Sequence, residues 1–240
     1  EMHLRVALER LENRYQIAIA SSEPAIPYRE TIRKPVTKRG RHKKQSGGHG
    51  QFGDVVLEIK PLPRGAGFEF TDTITGGVVP KQYIPSVETG TRDSLKSGPL
   101  GFPVVDIAVN LADGSFHNVD SSDMAFQQAA RIAMKEALAE ASPVMLEPIF
   151  RVEIVTPSDA TARMTAIVSQ RRGKILGFDA RPGWEGWDMV EALMPQGEMR
   201  NLIVEMRSAT TGVASYTARF DHMAELTGRQ ADELSQGKAA

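Results

Sequence analysis

Between Thr31 and Gly53 the chain carries seven Lys or Arg, two His and no Asp or Glu, and it closes on Ser46-Gly47-Gly48-His49-Gly50-Gln51-Phe52-Gly53. Lys38, Arg39, Arg41, Lys43 and Lys44 crowd one short stretch, and basic flanks beside a glycine-rich tip suit an anionic partner. Gly47, Gly48 and Gly50 lack the Cβ that penalises positive φ, so the backbone there can turn tightly and approach an anionic partner. Composition alone allows an equal reading, a solvated basic surface with no partner.

Other chemistries lack their residues. The chain has no Cys, which removes disulfides and thiolate metal sites and fits a reducing cytoplasm. No GxxxxGK[ST] loop occurs, so the glycine-rich stretch is not a nucleotide cradle. His3, His42, His49, His117 and His222 show no HxH or HxxxH spacing, and neighbours such as Lys43 and Lys44 oppose a divalent cation. Asp120 and Asp123 suit the start of a helix better than acid–base chemistry, because no base or nucleophile accompanies them. His117, in Gly114-Ser115-Phe116-His117-Asn118, is by its residue type an ordinary exposed loop histidine. Arg171 and Arg172 precede Gly173 at the end of a predicted helix, where cations and a left-handed glycine cap are both favourable.

The elements that would position these residues follow from periodicity. The 240 residues, with 41% hydrophobic and 25% charged, are enough for two soluble domains. A net charge of −1 leaves the electrostatics to local clusters. The longest apolar runs fall short of a membrane span, and the first residues lack a signal-peptide core. Apolar spacing predicts a helix over residues 1–14 and a strand over 15–20, with Pro24 and Pro27 in a linker. Strands are expected at 33–43, 54–61, 67–72 and 102–111, a helix from Pro85 to about Lys96, and a helix to about Ala141 capped by Ser121-Ser122-Asp123. Past Pro148 the order becomes strand, helix, strand, strand, helix, strand. It runs 150–156, a helix capped by Ser158 and ended at Gly173, 173–180, 187–193, a helix over 198–207, and 213–220. This is a ferredoxin-like βαββαβ plan.

Three ordered blocks carry a resemblance: SGGHGQFG from Ser46, TDTITGGVVPKQYIPSVETG from Thr71 and GSFHNVDSSDMAF from Gly114. They resemble the fourth domain of bacterial elongation factor G, the translocation GTPase of the ribosome, and the likeness extends over essentially the whole chain. It implies an α+β chain of two α/β-sandwich-type domains. The first is a ribosomal-protein-like βαβ domain over 29–148 and the second a ferredoxin-like fifth domain over 149–226. Residues 1–28 would be a third-domain remnant and linker, and 227–240 a flexible tail.

For function, the resemblance implies a monomeric, cytoplasmic translation factor without membrane contact that binds both ribosomal subunits, rRNA, tRNA and mRNA. Ser46, Gly47, Gly48, His49, Gly50, Gln51, Phe52 and Gly53 would form one tip loop in the decoding region, and Ser115, Phe116, His117 and Asn118 the other. Lys38, Arg39, Arg41, Lys43, Lys44 and one of Arg171 and Arg172 would meet RNA phosphate. No catalytic residue, metal or cofactor is implied here, because GTP and Mg belong to an N-terminal domain of the parent. His49, Phe52 and Asn118 stand where the family usually has Arg, Tyr and Asp, and the Ser97–Pro103 segment is one residue short. The sequence therefore resembles a divergent paralogue, with translocation as the first expectation. Recycling, ribosomal protection and a stand-alone RNA-binding module are the alternatives.

Overall fold

The computed structural model describes residues 2–17, 19–20, 22, 24–45, 50–235 and 237. Helix α1 (Met2–Tyr15) ends where Gln16 takes a positive φ of 54° and donates its N–H to Glu12 O at 3.0 Å. The strand expected over 15–20 does not form among the described residues. Alternation makes a strand only where a neighbouring strand accepts its backbone hydrogen bonds, and among the described residues none pairs with it.

Strand β1 (Arg29–Ile32) is followed by a break at Arg33, Lys34 and Pro35 and then by β2 (Val36–Lys44), so the single strand expected over 33–43 is two. Proline has no N–H to give a ladder, and the chain changes sheets there. β2, β3 (Gln51–Pro61), β4 (Phe68–Asp72) and β5 (Ile107–Ser115) form a four-stranded sheet in the order β2-β3-β5-β4, with only the β4–β5 pair parallel. Helices α2 (Ile84–Ser94) and α3 (Asp123–Glu140) pack against it, and Val55, Leu57 and Ile59 alternate into the core with Phe126 and Met134. The Ser122 hydroxyl accepts the Ala125 N–H at 3.3 Å, the N-cap that the sequence indicated.

β5 begins five residues later than expected, because residues 98–103 fold around Glu30 instead. Its carboxylate accepts the Phe102 N–H at 2.6 Å, while the Glu30 N–H donates to Pro103 O at 2.8 Å. Burial pushes the Glu30 carboxyl above its ordinary range, and the Phe102 and Leu100 amides only partly oppose that.

The second sheet contains β6 (Pro143–Pro157), β7 (Lys174–Ala180), β8 (Trp187–Pro195) and β9 (Ser215–Leu226), ordered β9-β6-β8-β7 with every neighbour antiparallel. Helices α4 (Thr161–Gln170) and α5 (Leu202–Ala209) make the two crossovers, so the arrangement is ferredoxin-like. Val152, Ile154, Met164, Val168, Met194 and Leu202 meet in its core.

Several local expectations shift. β6 runs unbroken through Pro148, since β1 pairs with residues 143–146 and β8 with 149–157, and the proline falls between those two partners. Ser158 does not cap α4; its hydroxyl donates to Asp188 Oδ1 at 2.7 Å, and a 3₁₀ turn (Ser158–Ala160) leads into the helix. At the other end of α4 the left-handed residue is Arg172, with φ 57°, rather than Gly173. Gly173 is required for space, because a Cβ there would lie 2.4 Å from Val168 Cγ1. Past Leu226, where a tail was expected, Arg229–Ser235 form α6.

The two sheets are joined by more than a linker. β1 leads into the first sheet yet pairs with β6 of the second, and Arg33 and Arg64 both bind Glu225 of β9, at 2.5 and 2.8 Å.

Candidate RNA-binding tip

The β2–β3 hairpin sets one half of the site. Its register pairs Lys44 with Gln51, Lys43 with Phe52 and Arg41 with Asp54, so the basic strand and the end of the glycine-rich stretch lie side by side. The other half is the turn from β5 into α3, residues 116–122. The start of β3 and this turn lie at one end of the domain, because β3 pairs with β5 to Asp54 and Ser115, and a further bridge joins Phe52 to Ser121.

Asp120 and Ser121 latch the two loops together. The Asp120 backbone oxygen accepts the Phe52 N–H at 2.8 Å, and its Oδ1 accepts the Gly50 N–H at 3.1 Å. The Ser121 hydroxyl donates to Phe52 O at 2.9 Å and accepts the His117 N–H at 2.9 Å. A Cβ at Gly50 would lie 2.9 Å from Asp120 Cγ, so any other residue there must push the Asp120 carboxylate aside. Neither Asp120 nor Ser121 stood among the expected site residues. Read as helix-start residues, both concealed a second use that only pairing across about seventy positions reveals.

His117 is exposed but not free to rotate. The Val119 and Asp120 N–H groups both donate to Nδ1, at 3.3 and 3.2 Å. A nitrogen that accepts two donors carries the lone pair, so the ring proton sits on Nε2. Asp120 Oδ2, 3.4 Å from Nδ1, is therefore a neighbour and not an ion-pair partner. The Phe52 ring lies 6.4 Å from the His117 ring and 5.4 Å beneath the Arg41 guanidinium. Phe116, Val119 and Met124 expose apolar surface around them. A rigid donor, flat rings and cations at one end of a domain can bind RNA by hydrogen bonding, stacking and phosphate contact.

Residues 24–142 match the family model described as elongation factor G, domain IV, and residues 144–234 match elongation factor G C-terminus. The chain belongs to the elongation factor G family. A protein of Synechocystis sp. (strain ATCC 27184 / PCC 6803 / Kazusa) named elongation factor G-like protein is 56% identical over 98% of this chain and 35% of its own length. Elongation factor G of Aquifex pyrophilus is 43% identical over 98% of this chain and 33% of its length. A crystal structure from Thermus thermophilus superposes with a TM-score of 0.88 at 40% identity, covering 100% of this chain and 35% of that one. The chain thus spans about a third of the length of these relatives.

Within this elongation factor G-like chain the expected site residues fare unevenly. Gly50, Gln51, Phe52, Gly53, Ser115, Phe116, His117 and Asn118 come to one end of the domain, whereas Ser46, Gly47, Gly48 and His49 lie outside the described residues. Gln51 Oε1 accepts a hydrogen bond from His42 Nε2 at 2.8 Å. Arg41, Lys43 and Lys44 are exposed and without an ion-pair partner among the described residues. Lys38 and Arg39 are engaged: Lys38 pairs with Glu140 at 2.6 Å, and Arg39 makes a two-pronged contact with buried Asp54 at 2.8 and 2.5 Å. Burial would push the Asp54 carboxyl up, but Arg39 and the Ser115 hydroxyl outweigh it and hold the group below its ordinary range.

Arg171 and Arg172, of which one was expected to meet phosphate, both engage carboxylates within the chain. Arg171 donates to Glu205 Oε2 and to the Glu198 and Arg200 carbonyls, while Arg172 forks onto Glu147 at 2.8 and 3.0 Å and donates to Glu198 at 2.8 Å. Hydrogen bonding to Glu147 holds the Arg172 guanidinium above its ordinary value. Among the described residues no helix is long and apolar enough to cross a membrane.

Proposed function

We propose that this chain is the arm with which an elongation factor G-like GTPase enters the decoding site of the small ribosomal subunit, where it promotes movement of tRNA and mRNA. In this reading the tip loops meet tRNA, mRNA and decoding-region rRNA, and the second domain faces the large subunit. GTP and Mg bind in a part of the parent outside this chain, and no cofactor is used here. The factor acts as a monomer in the cytoplasm. The observation that carries the reading is the latch of Asp120 and Ser121, which makes two separate loops one exposed tip bearing His117, Phe116, Lys43 and Lys44. A rigid arm of this kind works by occupying space and biasing direction, with no chemistry of its own.

The deciding experiment uses the full-length parent. His117→Ala removes an exposed side chain and is expected to change the melting free energy by no more than about 0.5 kcal/mol. It should slow single-turnover movement of tRNA and mRNA about tenfold while leaving ribosome-stimulated GTP hydrolysis intact. A loss confined to subunit splitting would assign recycling instead, and a large drop in melting with no selective functional loss would make His117 a structural residue.

Salt dependence tests the cation assignment on the chain itself. With Lys38 and Arg39 engaged internally, about three phosphate contacts remain, so log K for single-stranded RNA should fall with log salt at a slope of about −2. Lys43→Ala with Lys44→Ala should bring the slope to about −1. A wild-type slope of about −4 would show that Lys38 and Arg39 leave their carboxylates to bind RNA.

A further inference from the structure

Where the two domains meet, an open cleft of about 400 Å³ is walled by residues of both. Gly65, Gly67 and Asp106 line it from the first domain, and Phe150, Phe220 and Met223 from β6 and β9 of the second. Phe150 and Phe220 stand edge to face, their ring centroids 6.0 Å apart at 81°, and Phe220 keeps 57% of its surface exposed. An aromatic pair left open in this way offers both a ring edge and a ring face to a third ring that enters. The Met223 thioether beside it adapts to a flat partner.

Two polar side chains of the lining are unmatched among the described residues. Arg29, half-buried at the start of β1, donates one N–H to Tyr28 O at 3.0 Å and has no carboxylate partner. Other arginines of the junction and the second domain do find partners: Arg33 and Arg64 share Glu225, Arg151 takes Glu191, Arg172 takes Glu147, and Arg181 lies 3.7 Å from the Trp184 ring centroid. Those contacts also occupy the carboxylates that could have served Arg29. Asp106, in the cleft wall, accepts the Gly65 and Gly67 N–H groups on Oδ1 at 3.0 Å each, and those dipoles offset its charge. Gln196, half-buried in the same lining, makes no side-chain hydrogen bond among the described residues. A partly buried guanidinium without a counter-charge is costly, and its planar fork fits a carboxylate through two parallel hydrogen bonds.

We propose that this junction cleft binds a small flat carboxylate, its anion forked by Arg29 and its ring laid against Phe150, Phe220 and Met223. The inference does not depend on the ribosomal reading and adds a ligand site to the chain. A cation is repelled by Arg29, a sugar leaves the aromatic wall unmatched, and a neutral ring leaves the guanidinium unpaired; an aromatic or similarly flat carboxylate satisfies both. Ligand pockets have this composition, a largely apolar lining with a few convergent polar groups, and they favour domain junctions. Residues of both domains hold the occupant, so its binding fixes the junction that carries the tip.

The probe is 2-naphthoate, with neutral 2-naphthamide as its comparison, each titrated into the whole chain carrying isotope-labelled methionine methyl groups. Met223→Leu identifies the Met223 resonance. The carboxylate is expected to shift that resonance saturably and to bind about tenfold more tightly than the amide, the difference made by one charge-assisted contact. Arg29→Met should lower the carboxylate to the affinity of the amide and leave the amide unchanged. Arg29→Lys should keep only part of the preference, because an ammonium retains the charge and loses the fork. Lys43→Ala with Lys44→Ala should change neither affinity, which separates the cleft from the basic tip. Equal affinity of the two probes for the wild-type chain overturns the proposal without any variant. A preference that survives Arg29→Met, or binding that leaves the Met223 resonance unmoved, overturns it as well. Loss of the site in the full-length parent would assign the cleft to a segment of that parent and overturn a small-molecule occupant.

Discussion

Gly40→Val is expected to destabilise the chain by about 3 kcal/mol, measured by urea unfolding and followed by far-UV circular dichroism. Gly40 sits in β2 under α3, and even a Cβ would lie 2.0 Å from Ala129 O and 2.6 Å from Ala133 N. The clash is with backbone, so no side-chain rotamer can relieve it, and the helix must lift from the sheet. Gly53 faces the same helix, with a Cβ 2.5 Å from Ala125 O, and Gly90 of α2 faces it from the other side, 2.5 Å from Gln127 O. Three glycines thus let α3 lie backbone to backbone on its neighbours, and Ala129, Ala130, Ala133 and Ala137 complete that approach. Gly177→Ala is the comparison, because nothing lies within 4 Å of its added Cβ, and its effect should stay within about 0.5 kcal/mol. Equal losses for Gly40→Val and Gly177→Ala would refute the packing account.

Asp54→Asn is the second large effect, about 2 kcal/mol at neutral pH, because a buried carboxylate that accepts from Arg39 and Ser115 loses its charge-assisted bonds. Asp54 is 1% exposed, yet Arg39 is 58% exposed, so water takes over part of what the arginine loses and the cost stays below that of a fully buried pair. The sign of the pH dependence follows from the direction of the shift. The folded-state pKa of Asp54 is lowered, so its stabilisation is complete above the ordinary carboxylate pKa and is lost as pH falls through the lowered value. The gap between wild type and Asp54→Asn should accordingly be widest near neutrality and close in acid. A gap that widened on acidification would mean that burial, not Arg39, dominates this carboxyl. The same substitution should disturb the tip, since Asp54 fixes Ser115 one residue before Phe116 begins the exposed loop.

Much of this was legible in the chain because short-range physics dictated it. Alternation at Val55, Leu57 and Ile59 specified a strand with one buried face, Ser122 specified a helix start, and the strand and helix order past Pro148 specified the ferredoxin-like sheet. The ordered blocks around Ser46, Thr71 and Gly114 specified the family, which the matches over 24–142 and 144–234 bear out. The net charge of −1 and the basic stretch before Gly53 were likewise properties of the residue list, needing no fold to be read.

What the tertiary structure decided was how each charge and each glycine is used. A basic residue in a sequence is a cation with an unknown partner; Lys38 and Arg39 find carboxylates at Glu140 and Asp54, Arg171 and Arg172 find Glu205 and Glu147, and Arg181 finds an indole. Most of those partners lie far off in the sequence, and Coulomb attraction and stacking act over a few ångströms of space without regard to separation along the chain. Gly40 and Gly173 show the same limit from the side of packing, because sequence rules assign glycine to turns, whereas here the reason is a helix backbone and a valine side chain that the fold brings against them. β1 next to β6, and Asp120 next to Gly50, are decided in the same way, by which strands find one another once the two cores close.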